Sequence, residues 1–188
     1  QSLVGLSADS VQGFEKDVLS LSGQTARAPK ELADAMFFVT SAGIRGAEAT
    51  EVLAASAKAA AVGLGDTATI ADLATSALNA YGSDVISATE ATDVMVAAVR
   101  EGKLQADELA GSMGRVLPVA AGMGVSFNEV GAAFASMSRT GTNANEAATQ
   151  LRQIMVSLLK PTKQAEEALQ GMGLSSEGLR TQMREKGL

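Results

Sequence analysis

The sequence predicts an all-α protein, a compact multi-helix bundle of nine or ten short helices. Alanine, the strongest helix former, supplies 35 of the 188 residues. Apolar residues recur at intervals of three and four along the whole chain, as on one face of a helix. No stretch alternates β-branched and polar residues for long between turn residues, so strands are not predicted. Nineteen glycines divide the helical pattern into short pieces.

The pattern is clearest at residues 67–82, the fourth of the predicted helices, and next at residues 143–160. Pro29 stands where a proline opens the first turn of a helix. Asp66 can cap the fourth helix, whose apolar stripe runs from Ile70 to Tyr81 before Gly82 ends it. The predicted bounds are residues 8–21, 29–43, 47–62 and 67–82.

Capping signals place the middle helices. Ser87 with Glu90, and Ser126 with Glu129, have the spacing of a capping box, in which each side chain satisfies a free N–H of the first turn. Pro118 lies inside the sixth predicted helix and should kink or split it. These helices are predicted at residues 87–101, 106–121 and 126–140.

The last helices are predicted from a long apolar stripe and its stop. The stripe runs from Ala147 to Leu159, and Pro161 ends it. The bounds are residues 143–160 and 162–171, with a weaker helix near 176–186. Five glycines follow apolar runs as C-terminal caps should, namely Gly43, Gly63, Gly102, Gly141 and Gly171.

Length favours one domain over residues 1–188, with a faint internal repeat. Residues 31–36 read ELADAM and residues 108–113 read ELAGSM. Matches at an offset of 77 or 78 residues continue through segments 31–76 and 108–154. A real duplication would make the fold two related three-helix units.

Composition excludes several classes of function. The chain has no Cys and no His, which removes disulfides, imidazole catalysis and the usual zinc ligands. We therefore predict no enzyme, no cofactor and no metal. A net charge of −6 argues against a nucleic-acid site. No signal peptide and no membrane span are predicted, and the start at Gln1 suggests a fragment or a processed form.

The remaining candidate sites have stronger structural interpretations. Adjacent carboxylates at 107–108 and 166–167 point about 100° apart on a helix and suit solvated faces. The glycine segments 63–65 and 122–124 lack the strand and lysine of a phosphate loop and suit helix–helix turns. The methionines fall in helical runs and suit core filling. Asn79 and Arg152, polar within apolar stretches, are expected to hydrogen-bond a turn or a helix end.

Several motifs together resemble the core region of phage tail tape measure proteins, from about residue 15 to 188. The blocks are 77–82 (ALNAYG), 91–95 (ATDVM), 116–120 (VLPVA) with 122–126 (GMGVS), and 140–141 (TG) leading to 147–152 (AATQLR). Ala148 departs from the family, which usually has glycine there. The residues that match family motifs, each with an expected structural role, are Asn79, Tyr81, Gly82, Asp93, Pro118, Gly141, Thr149, Leu151 and Arg152.

The resemblance implies a structural and assembly component of a phage or prophage tail. Such a protein sets tail length, occupies the tube lumen and leaves during genome ejection; it is found in the virion tail, and in the host cytoplasm during assembly. Implied partners are tail tube, baseplate or tail-tip proteins and tail assembly chaperones. A homo-oligomer is a further alternative. The glycine and proline stops favour a compact docking module over a continuous rod. Two alternatives remain: a membrane-active pore-former or secreted effector, and a carboxylate glycosidase.

Overall fold

The computed structural model describes residues 8–187, and this part of the chain is all-α, as predicted. It contains eleven α-helices, one π-helical segment (Ala60–Leu64) and no strand. The helices are α1 (Ala8–Thr25), α2 (Pro29–Ser41), α3 (Gly46–Ala59), α4 (Thr67–Tyr81), α5 (Ala88–Glu101), α6 (Ala106–Met113), α7 (Leu117–Met123), α8 (Phe127–Arg139), α9 (Ala144–Leu159), α10 (Lys163–Gly171) and α11 (Ser176–Lys186).

The helix count exceeds the predicted nine or ten because the sixth predicted helix is divided. A turn at residues 114–116 separates α6 from α7, and Pro118 lies in the first turn of α7. Proline lacks the N–H that a helix interior needs but fits a first turn, so the break falls just before it.

Other details also differ from the predicted bounds and caps. The first helix, predicted at 8–21, continues to Thr25. The third predicted helix, 47–62, ends as α-helix at Ala59 and continues as the π-helical segment, where Gly63 has φ +94°. Gly171 is the last residue of α10, and Gly173, with φ +74°, takes the left-handed position instead. Gly102 also lacks positive φ. Glycine is needed at this position for space, because an added Cβ would lie only 2.6 Å from Ser138 Oγ in α8.

The contacts between helices group into two compact units, divided between Val96 and Ala97 inside α5. In the first unit α2, α3 and α4 pack on one another, and α1 packs on α2 and α3. Small and branched side chains fill this core, and no aromatic ring is fully buried among its described residues. Those less than 2% exposed include Leu32, Val39, Val52, Leu53, Ile70 and Leu73.

The second unit is organised around α9, which contacts α6, α7, α8 and α11. Its core holds the largest fully buried side chain, Phe134, together with Leu109, Met113, Leu117 and Met155. The short helix α10 buries none of its residues. The prediction of one domain over residues 1–188 stays a prediction.

The structure shows further correspondences at the offset of 77 or 78 residues, and the predicted internal repeat stays a prediction. Helix α2 and its counterpart α6 begin 77 residues apart, at Pro29 and Ala106, and so do α4 and α9, at Thr67 and Ala144. Gly63 and Gly141, 78 residues apart, have nearly equal φ angles of +94° and +98°. The five buried residues of α2 all have buried counterparts 77 residues later. The pairs are Leu32 and Leu109, Ala35 and Ser112, Met36 and Met113, Val39 and Val116, and Thr40 and Leu117.

Two glycine-to-alanine substitutions should change stability in opposite directions. Gly63 has φ +94°, so Gly63→Ala should cost about 1–2 kcal/mol of unfolding free energy through left-handed strain. Gly111 is exposed inside α6 with nothing within 4 Å of an added Cβ. Gly111→Ala should therefore gain about 0.5–1 kcal/mol. Urea denaturation measures the unfolding free energy of both variants. If both substitutions changed this free energy in the same direction by the same amount, the left-handed conformation of Gly63 would be contradicted.

Candidate functional site

The family-motif residues of the first unit lie mainly at the end of α4. Asn79 Nδ2 donates to the carbonyl oxygen of Ala42 at 3.4 Å, tying the last turn of α4 to the connection between α2 and α3. Gly82, with φ +92°, ends the helix and its N–H donates to Leu78 O at 2.8 Å. Tyr81, beside it, is half-buried. The structural role predicted for Asn79 stays a prediction.

The motif residues of the second unit lie mainly at helix ends and on the exposed face of α9. Pro118 opens α7, and Gly141 forms the turn after α8 with φ +98°. On α9, the Thr149 hydroxyl donates to Asn145 O at 2.9 Å, Leu151 is buried, and Arg152 is exposed. The nine motif residues are therefore distributed over the fold and do not converge on one pocket. Their roles remain predictions.

Asp93 is the motif residue that lines a cleft. The cleft, about 430 Å³, lies between α3 and the part of α5 within the first unit. Lys58 and Glu51 of α3 form its charged wall, and Val62, which is 73% exposed, lies at its edge. Asn79, Tyr81 and Gly82 are not part of this wall.

A second cleft, about 580 Å³, lies between α2 and the start of α4. Its apolar wall is an aromatic pair, Phe37 and Phe38, each 47% exposed, with ring centroids 6.1 Å apart and nearly perpendicular. Charged side chains line the rest, together with Ala28 and Ala68: Lys30, Glu31, Asp34 and Asp66. We call this the Phe37–Phe38 cleft. Sequence reasoning missed it, although two adjacent phenylalanines in a chain with six aromatics were a usable signal.

Glu31, one of the residues that line this cleft, is the centre of a polar cluster. Glu31 Oε1 accepts hydrogen bonds from the Thr67 hydroxyl and from the Thr67 N–H, the latter at 3.3 Å, and lies 3.4 Å from Arg27 Nη1. Arg27 Nη2 donates to the carbonyl oxygen of Ala60, the first residue of the π-helical segment. This cluster joins the α1–α2 connection, α2, the π-helical segment and α4. Sequence patterns do not predict this cluster, because its members are up to 40 residues apart.

Among residues 8–187 no three acidic side chains lie close enough together to hold a metal ion. Two exposed groups have shifted pKa values. The hydrogen bond and charge of Asp34 raise the pKa of Lys30, and hydrogen bonds from the Ser87 N–H and hydroxyl lower the pKa of Glu90. Both shifts come from local capping and pairing, as on ordinary helix surfaces.

Within residues 8–187, each helix is too short or too polar to cross a lipid bilayer.

Removing the hydroxyl groups of Thr67 and Ser56 should have different effects on stability, because only the first is hydrogen-bonded. Thr67 is fully buried and its hydroxyl donates to Glu31, so Thr67→Val should cost about 1.5–3 kcal/mol, the usual contribution of a hydrogen bond to a charged group. The hydroxyl of Ser56 is buried with no partner among the described residues. Ser56→Ala should be neutral or stabilising. Chemical denaturation compares the two, and an equal loss would contradict the role of Glu31.

The capping box at α5 should be visible in a pH titration. Both of its hydrogen bonds are present, Ser87 N–H to Glu90 Oε2 at 2.8 Å and Glu90 N–H to Ser87 Oγ at 3.2 Å. Because the folded pKa of Glu90 is lowered, its stabilisation is complete above the unfolded pKa and is lost as pH falls through the folded pKa. The NMR shift of the Ser87 amide should titrate with a midpoint below the ordinary value of 4.5. Glu90→Gln should abolish this titration, and a midpoint above 4.5 would contradict it.

Comparison with known proteins identifies relatives along nearly the whole chain. Residues 15–188 match the family model described as phage-related minor tail protein. The tape measure protein of Pneumococcus phage Dp-1 is 30% identical over 175 residues, which cover 93% of this chain. The match spans 15% of that relative's own length. No solved structure matches significantly.

The match between the chain and the family model begins in α1 and includes both helical units. It also includes every motif residue from Asn79 to Arg152. The resemblance that the sequence motifs indicated is thereby confirmed. The chain belongs to the family of phage-related minor tail proteins and is a structural component of a phage tail.

Proposed function

We propose that the chain is a module of a tape measure protein, which sets tail length, occupies the lumen of the tail tube and is released during genome ejection. The family match over residues 15–188 carries this proposal. The similarity to a named tape measure protein supports it, with 93% of the chain aligned.

The helix lengths favour a compact docking module over the ruler itself. A straight 188-residue helix would measure roughly 280 Å at 1.5 Å per residue. The longest described helix, α1, has 18 residues, and left-handed glycines or prolines interrupt the chain between helices. Tail tube, baseplate or tail-tip proteins and tail assembly chaperones are the proposed partners of this module.

A catalytic role forms no part of the proposal. The chain lacks His and Cys, and its carboxylates within residues 8–187 do not form a metal-binding group. The purified chain is therefore expected to release no muropeptides from bacterial cell walls.

Ejection offers a direct test of lumen occupancy and release. In intact virions, peptides from residues 15–188 should be protected from added protease because the tube wall surrounds them. After ejection is triggered, the same peptides should be missing from the emptied tails in quantitative mass spectrometry, with tail tube peptides as the control. Retention in emptied tails, or digestion in intact virions, would contradict the proposal.

Release through a tube also requires a module that opens easily. Nineteen glycines and 35 alanines give many helix contacts with little apolar area, so we expect modest thermal stability. A melting temperature above about 90 °C, the hyperstable range, would count against passage by unfolding.

A further inference from the structure

We propose that the Phe37–Phe38 cleft is a docking site for an amphipathic helix of a partner protein, one that presents lysine or arginine beside large apolar side chains. The inference concerns a surface of the first unit and does not depend on where the chain lies in the tail.

Exposure of the aromatic pair is the first observation. Phe127 and Phe134 are buried, whereas Phe37 and Phe38 are adjacent on α2 and each leaves 47% of its surface in solvent. Exposed large aromatic residues are the side chains that most often dominate binding at protein interfaces. The two rings pack edge to face with centroids 6.1 Å apart and together form one apolar wall.

The buried face of α2 does not include the aromatic pair, because its buried residues are Leu32, Ala35, Met36, Val39 and Thr40. At the offset of 77 residues the positions of Phe37 and Phe38 correspond to Gly114 and Arg115, which lie in the turn between α6 and α7. The second unit therefore has no aromatic side chain at either position.

The charge around the pair determines the chemistry of the occupant. Three carboxylates line the cleft, Glu31, Asp34 and Asp66, together with the cation Lys30. Glu31 is paired with Arg27 and Asp34 with Lys30, whereas no ion pair of the described residues involves Asp66. Asp72, exposed on α4, follows the lining residue Ala68 by one helical turn and adds a further negative charge to this helix. A cationic partner would gain from this charge and from the faces of the phenyl rings, to which ammonium and guanidinium groups are attracted.

The shape suits a helix laid into the cleft. Its walls are two packed helices, α2 and α4, and its volume of about 580 Å³ accommodates several side chains. Recognition of this kind places apolar anchors at intervals of three and four on a groove floor, with charged residues at the rim. Here the anchors would contact Phe37 and Phe38, and the cations would face Asp34 and Asp66.

Lys30 lies in the cleft and competes with a cationic residue of the partner for the carboxylate of Asp34. Its Nζ is 2.7 Å from Asp34 Oδ2, and both side chains are exposed, at 86% and 56%. An incoming cation must share Asp34 with Lys30. Removing the Lys30 charge should therefore strengthen binding, a result that a merely sticky apolar surface would not produce.

Titration calorimetry with the purified 188-residue chain tests the proposal. The probe is a synthetic 18-residue helix of leucine and lysine, with all lysines on one face, and the matched control replaces lysine with glutamate. The lysine peptide should bind and the glutamate peptide should not. The double substitution Phe37→Ala with Phe38→Ala should weaken binding at least tenfold, Asp34→Asn should weaken it several-fold, and Lys30→Gln should strengthen it.

Controls outside the cleft decide whether the binding is specific. Val62 and Val85 are 73% and 72% exposed in the same unit, so Val62→Ala with Val85→Ala removes apolar surface elsewhere and should leave the affinity unchanged. Circular dichroism melting confirms that each variant is folded. Equal losses in the two double variants, no binding of the lysine peptide, or weaker binding by Lys30→Gln would overturn the proposal. Self-association that the phenylalanine substitutions abolish in ultracentrifugation would overturn it in favour of a second copy as occupant.

Discussion

The fold depends on the close approach of helices whose buried faces carry many alanines between larger aliphatic side chains. An alanine side chain buries little apolar area, so the stabilisation comes from many contacts at short range rather than from a few large side chains. Gly102 shows how tight the packing is, since an added Cβ would lie 3.1 Å from the Ala135 Cα and closer still to Ser138 Oγ. Helices that approach this closely need turns of fixed geometry. Left-handed glycines and the two capping boxes supply that geometry at helix ends.

A connection between helices is held by a hydrogen bond in each unit, but the donors and acceptors differ. In the first unit Arg27, in the α1–α2 connection, donates to the carbonyl oxygen of Ala60. In the second, the N–H of Lys103, in the α5–α6 connection, donates to Ser138 Oγ at 3.0 Å. Ala60 and Ser138 are counterparts at the 78-residue offset. A π-helical turn shifts the backbone hydrogen bonds by one residue, and the Arg27 guanidinium supplies a donor to one carbonyl there, whereas a serine hydroxyl suffices at the regular helix end.

Local signals in the sequence predicted the helices and several of their caps, because periodicity and capping depend on residues three or four apart. The capping boxes at Ser87 and Ser126 are both present. The fourth helix was predicted at 67–82 and lies at Thr67–Tyr81. The polar cluster could not be predicted, since Glu31 and Thr67 meet only when α2 packs on α4. The cleft was missed for a related reason: periodicity shows that Phe37 and Phe38 lie on a helix, but only packing shows that their face remains uncovered.

The aromatic residues are distributed oppositely in the two units. Phe127 and Phe134 lie buried in the second unit, where the corresponding residues of the first are Ala49 and Ser56, both fully buried. A buried aromatic side chain removes roughly 150–250 Å² from water, so the centre of the second unit is filled by larger apolar groups. The first unit places its aromatic pair at the surface and fills its centre with small side chains. The unit that carries the Phe37–Phe38 cleft is therefore the one with no fully buried aromatic side chain among its described residues. A partner helix bound at Phe37 and Phe38 would stabilise that unit by mass action and would leave it easier to unfold once the partner dissociates.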